Sequence, residues 1–199
     1  MEQAKEKMIS PSAAEMMKSI PGVFGIHYEE HAEFSVDRQL GEIEIRRYAP
    51  CTMALVTMKG EYDEAMDAGF RKLANYIHGK NDQQMRTEMT TPVWITAVDG
   101  GWSMAFFMPK AIGATAPAPL DPEVRIENFG ERTFAAFKYS GNVNEERISE
   151  GHTHLMHELS AHSELMPQGR LVTAQYDQPF AVPVLKTNEA LIELRPSLV

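Results

Sequence analysis

Around Ile43 the chain alternates: Ile43 and Ile45 are apolar, while Glu42, Glu44 and Arg46 between and beside them are charged. A period of two predicts a strand with one covered face. Further on the period changes. Tyr62, Met66, Gly69, Phe70, Leu73 and Ile77 recur at intervals of three and four, the spacing of an amphipathic helix, and the same spacing returns in Ile148, Gly151, His152, Leu155 and Leu159. Each stripe must be buried against a sheet.

Laid against itself, the chain repeats. IEIRRYAPCTMALVTMKGEYDEAM (43–66) matches VRIENFGERTFAAFKYSGNVNEER (124–147) at an offset of 81, pairing Ile45 with Ile126, Tyr48 with Phe129, Ala54 with Ala135 and Gly60 with Gly141. In the helices an offset of 82 fits better, pairing Phe70 with His152 and Leu73 with Leu155. More strand-like sequence follows each helix: TTPVWITAV and WSMAFFMP in the first half, GRLVTAQY and ALIEL in the second. The expectation is an α+β fold built from a duplicated strand–strand–helix–strand–strand unit. Its antiparallel sheet is curved or closed into a distorted barrel and flanked by two helices about a pseudo-twofold axis. The halves, 36–110 and 121–195, are joined by the proline-rich linker ATAPAPLDP (114–122), which is expected to lack regular structure. Residues 1–30 read as a leader, helical or poorly ordered and broken at Pro21-Gly22, ahead of one domain over 31–199. A groove between such halves is a common place for a ligand.

Composition narrows the function. With 43% apolar and 24% charged residues the 199-residue chain is ordinary for a soluble globular protein. A net charge of −9 argues against a nucleic-acid binder or an anionic-membrane binder, both of which need a basic face. Cys51 is the lone cysteine, so no intrachain disulfide and no CxxC metal knuckle exists, which suits a reducing, cytoplasmic setting. The leader carries Glu2, Glu6 and Glu15 and fits neither a signal nor a transit peptide.

The run YxxAxxxGFxKLxxYIxGKNxxxMxxxMTxPV, here Tyr62 to Val93, together with IEIRRYAP (43–50) and YDQPF…NEALIEL (176–194), resembles the SOUL/haem-binding protein family. The resemblance covers about residues 36–195. It implies a distorted antiparallel barrel with two helices, similar to gyrase-inhibitor-type effector-binding domains, and cytosolic binding of haem or another tetrapyrrole in an apolar surface cleft, with no settled catalytic activity. The family's cleft projects onto Asp67, Phe70, Ala74 and Asn75 of the first helix and onto Tyr176 and Val182, with Phe180 nearby. Phe70, Ala74, Tyr176 and Phe180 are suited to cover a porphyrin face. Where family members place an arginine and two lysines for the propionates, this chain has Asp67, Asn75 and Val182, leaving Arg71, Lys72 or Lys80 as substitutes. Where one branch carries an axial histidine in an R-H-Y motif, this chain has Arg46-Arg47-Tyr48, and a guanidinium cannot ligate iron.

Other ligands come from the residues themselves. His78, one turn after Ala74, is either an axial haem ligand or a polar residue at a helix C-terminus, favourable against the helix dipole. Met66 and Met85 offer thioethers or fill the core. In GHTHLMHELSAH (151–162) His152 falls on the inward stripe, as a core or cleft histidine or a ligand. His154, Glu158 and His162 follow at steps of four on a more polar face. Two turns span about 12 Å, too far for all three to share one ion, so the face reads as solvated. There is no GxSxG, P-loop, GxGxxG or HExxH motif. Cys51 reads as a buried thiol, and Glu88 and Glu189 are the carboxylates available as a general base, with a structural role favoured for Glu189. Three functions follow: a haem or tetrapyrrole carrier or buffer; a gyrase-inhibitor-like module for another flat apolar molecule or a protein partner; and a haem-dependent or Glu-based enzyme.

Overall fold

Alternation and helical stripe both become structure where the pattern places them. In the computed structural model, which describes residues 30–177 and 186–195, the strands are β1 (Phe34–Leu40), β2 (Ile43–Tyr48), β3 (Cys51–Lys59), β4 (Val93–Val98), β5 (Gly101–Phe107), β6 (Val124–Phe129), β7 (Arg132–Ser140), β8 (Pro167–Gln175) and β9 (Thr187–Leu194). Two helices, α1 (Tyr62–Ile77) and α2 (Glu145–Ser160), follow β3 and β7. The expected leader up to residue 29, Phe180 and Val182 lie outside the described residues. Among the described residues no helix is long and apolar enough to cross a membrane.

The strands form one antiparallel sheet in the order β1-β2-β7-β9-β8-β4-β5-β3-β6. Exchanging β2 with β6, β3 with β7, β4 with β8 and β5 with β9 leaves the order from β2 to β6 unchanged when it is read backwards, so the duplication is built into the topology. The β8–β4 ladder, Val93 opposite Gln175 and Ile95 opposite Thr173, lies at its centre.

The sheet stops short of the closed form of the expected barrel. Its two ends, β1 and β6, each pair on one side only. Both have the character of edges: β1 is exposed along nearly its whole length, and β6 sends Arg125 and Glu127 outward, charges that oppose a further ladder. It is nonetheless strongly curled. Tyr48 on β2 and Trp94 on β4 are four strands apart, roughly 19 Å across a flat sheet, yet their rings stand 5.6 Å apart. Phe134 and Phe107 pack edge-on against the same Trp94. The concave face therefore wraps an aromatic core, and the helices cover the other face.

Each helix is seated by its apolar stripe. Leu73 and Ile77 of α1 pack on Ala54, Val56, Met104 and Phe106; Leu155 and Leu159 of α2 pack on Ile43, Ile45, Ala135 and Ile192. Leu73 and Leu155 are fully buried, worth about 2 kcal/mol each. The pseudo-equivalent glycines allow the approach: a Cβ on Gly69 would stand 2.5 Å from Met58 Cε, and one on Gly151 2.7 Å from the Tyr139 ring. The linker carries a single 3-10 turn at Gly113–Thr115 and is pinned to α1, where Tyr76 Oη donates to Pro117 O and Lys72 pairs with Asp121 and Glu123.

Candidate functional site

Helix α1 presents Tyr62, Met66 and Phe70, four residues apart, to the seam between the two halves. The strands opposite contribute Val93 and Ile95 from β4 and Met104 from β5, with Met89 and Thr91 from the segment before β4. The second half closes the other side with Asn142, Val143, Gln175, Tyr176, Asp177, Lys186 and Asn188. Together they enclose a cleft of about 460 Å³, within the range of small-molecule sites. Its floor is apolar and rich in methionine. Most of its polar groups, with Lys186 as the one cation among the described lining residues, lie on the second-half side, and Tyr62 and Thr91 add hydroxyls from the first.

The polar groups are held by neighbours. Lys186 Nζ donates to Asn142 Oδ1 at 3.0 Å and Asn188 Nδ2 to Gly141 O at 2.9 Å, while Asp177 accepts from the Thr187 backbone N–H. Burial pushes the Tyr62 phenol up to about 12, and Gln175 reaches its hydroxyl at 3.4 Å. Tyr176 is raised further by burial and by the nearby Tyr48 and Glu189, and its Oη donates to Glu189 Oε2 at 2.7 Å. Both phenols stay protonated, so neither supplies a phenolate.

Behind Tyr176, Glu189 is locked in place. Arg46 Nη1 and Nη2 donate to its two oxygens at 2.7 and 2.8 Å, and Arg46 Nε donates to Glu44 at 2.7 Å. Burial works against the guanidinium charge, but these carboxylates hold it well above its ordinary value. Glu189 thus has the structural role favoured from sequence, its hydrogen bonds coming from the Arg46 and Tyr176 side chains. Glu88 is exposed and does not line the cleft. Burial raises the Cys51 thiol to about 11, so it remains a thiol beside a separate cavity of about 330 Å³.

Of the residues singled out in the sequence, Met66, Phe70 and Tyr176 line the cleft. Ala74 is buried farther along α1, and Arg71 is exposed beside it. His78 ends α1: its backbone N–H and its ring Nδ1 both reach Ala74 O, the ring at 2.7 Å, and Gly79 follows at φ +100°. It does not line the cleft. His152 meets Thr173 Oγ1 at 3.1 Å on the centre of the sheet; burial lowers its pKa and keeps it neutral. Lys72 is taken by Asp121 and Glu123, and Lys80 is exposed outside the cleft. No histidine lines the cleft among the described residues. Sequence reading missed Met89, Met104 and Lys186, which reach the cleft only through the β4–β5 turn-back and the return into β9.

The family model described as SOUL heme-binding protein matches residues 29–193. Heme-binding protein 2 of Mus musculus is 28% identical over 154 residues, 73% of this chain and 75% of that protein; the Homo sapiens protein of that name is 28% identical over 149 residues, 71% and 73%. Among solved structures, the C-terminal domain of EcmrR superposes with a TM-score of 0.58 at 8% identity, covering 79% of this chain and 99% of that one. A hydrolase from Listeria innocua gives 0.54 at 12%, covering 80% and 94%. At such identities the solved structures speak for the fold alone. With its family model spanning nearly the whole described chain, the protein belongs to the SOUL heme-binding protein family.

Proposed function

We propose that this protein binds haem or a related tetrapyrrole in the cleft between its halves, as a cytoplasmic carrier or buffer. The supporting observation is the cleft itself. Met66, Phe70, Met89, Val93, Ile95 and Met104 offer an apolar bed for a flat macrocycle, and Lys186 with Asn142 and Asn188 offers a polar edge for its carboxylates. These residues fit the macrocycle better than they fit a histidine-ligated iron, because the described lining contains thioethers and protonated phenols but no imidazole. Bound haem would supply its iron and conjugated ring; the chain supplies enclosure, exclusion of water and a cation for a propionate.

The same feature favours a second reading, a binding module for another flat apolar molecule, since one lysine stands where the family uses three cations. An absorbance titration of the purified protein with ferric haem, ferrous haem and metal-free protoporphyrin separates the two. Saturable one-to-one binding of haem, with or without the porphyrin, supports the first. Absence of saturable binding by any of them eliminates it and directs a screen of other planar ligands.

A further inference from the structure

Where α2 borders the β1–β2 turn, outside the cleft, three side chains from two distant stretches converge. His154 and Glu158 stand one turn apart on the helix, and Glu42 enters from the β1–β2 turn. We propose that Glu42, His154 and Glu158 bind a divalent transition-metal ion of the zinc type. One ligand atom from each lies within 4.8 Å of the other two, and His154 Nε2 already stands 2.9 Å from Glu42 Oε2. In a tetrahedral zinc site with bonds of about 2.1 Å the ligand atoms stand roughly 3.4 Å apart, so side-chain rotation of about an ångström closes the set.

Two further observations point to a cation. The imidazole is held in advance: its ring stacks on Phe137 with centroids 4.1 Å apart and planes inclined by 26°, so packing aims Nε2 at the turn. No described cation balances the carboxylates either. Among the described residues neither Glu42 nor Glu158 pairs with a lysine or arginine, and His154 is the sole ion-pair partner of Glu42. Glu158 is nevertheless half-buried with its Oε2 3.8 Å from the Cβ position of Gly41, whose φ of +57° shapes the turn. Two carboxylates drawn together without a cation repel one another, and an ion bound between them removes that repulsion. A mixed nitrogen and oxygen set favours Zn²⁺ and its transition-metal neighbours over Ca²⁺, which takes six or more oxygens. Bound there, the ion ties the β1–β2 turn to α2 and leaves its remaining position to water.

The test is calorimetric titration of the metal-free full chain with Zn²⁺, beside Glu42→Gln, His154→Ala and Glu158→Gln, with His157→Ala and His162→Ala as controls from the same helix end. The expected result is one saturable equivalent in the wild type and both controls, weakened about tenfold or more in each of the three variants. A zinc-dependent rise in the thermal midpoint should likewise vanish in those three. Glu42 is exposed, so its conservative variant keeps the test valid if a helix variant folds poorly. No saturable binding by the wild type, undiminished binding by Glu42→Gln and His154→Ala, or an equal loss in the controls would each overturn the site.

Discussion

Arg46 and Glu189, 143 positions apart in sequence, meet in a two-pronged pair at 2.7 and 2.8 Å with 5% and 4% of their surfaces exposed. The pair joins β2 to β9 across β7, and through Tyr176 Oη it reaches the wall of the cleft. Removing Glu189 takes the two-pronged partner from a buried guanidinium and leaves it paired with the half-buried Glu44 alone among the described residues. Glu189→Ala should therefore cost about 3–5 kcal/mol in urea unfolding, whereas Arg46→Met combined with Glu189→Leu should retain most of the stability. Equal losses in the single and double variants would mean that packing volume, not the buried charge left behind, sets the cost.

Much of this fold is legible in the sequence because its determinants are periodic. The stripe from Tyr62 to Ile77 and the repeat pairing Gly60 with Gly141 specify both helices and the symmetry of the sheet order. The open edge is not legible, since closure depends on whether β6 finds β1, and charges on both decide that only after the strands are placed. The site shows the same division. Met66 and Phe70 follow from helical spacing, while Met89, Met104 and Lys186 depend on long-range pairing. The His154 face reads as solvated because the third member of its cluster, Glu42, lies 112 positions away.

The two helix glycines should respond differently to alanine. At Gly69 the new methyl meets the flexible end of Met58, which can swing aside, and the helix gains from losing a glycine. At Gly151 it meets the Tyr139 ring, itself stacked on Phe137. Gly151→Ala should be destabilised by about 1–3 kcal/mol, with Gly69→Ala within about 1 kcal/mol of wild type. Thermal unfolding of both variants checks the order, and a reversal would show that Met58 is the more constrained neighbour.

His152 makes stability depend on pH. Burial lowers its pKa from the ordinary 6.5, so below that value the unfolded chain binds a proton that the native state refuses. Its contribution is retained above pH 6.5 and is lost as pH falls from there toward its depressed native value. His152→Gln keeps a partner for Thr173 and cannot titrate; its thermal midpoint should fall less than that of wild type between pH 7 and 5. Parallel pH profiles would assign the acid sensitivity to other groups.

In the cleft, Phe70 and His78 separate enclosure from ligation. Phe70 lies against Phe106 at 5.8 Å between ring centroids and lines the proposed macrocycle site, whereas His78 is turned to the Ala74 carbonyl at the helix end. A glutamate at position 70 places an unpaired charge in the apolar bed, facing the carboxylates of a propionate-bearing ligand. Phe70→Glu should thus weaken haem and protoporphyrin alike by about tenfold or more, a loss of about 1.4 kcal/mol or greater. Lys186→Ala should cost a smaller factor, about fivefold, consistent with roughly 1 kcal/mol for an exposed ion pair. His78→Ala should leave both affinity and the Soret band of the haem complex as in wild type. A Soret band that shifts in His78→Ala while Phe70→Glu binds normally would move the ligand to the far end of α1 and make His78 its axial residue.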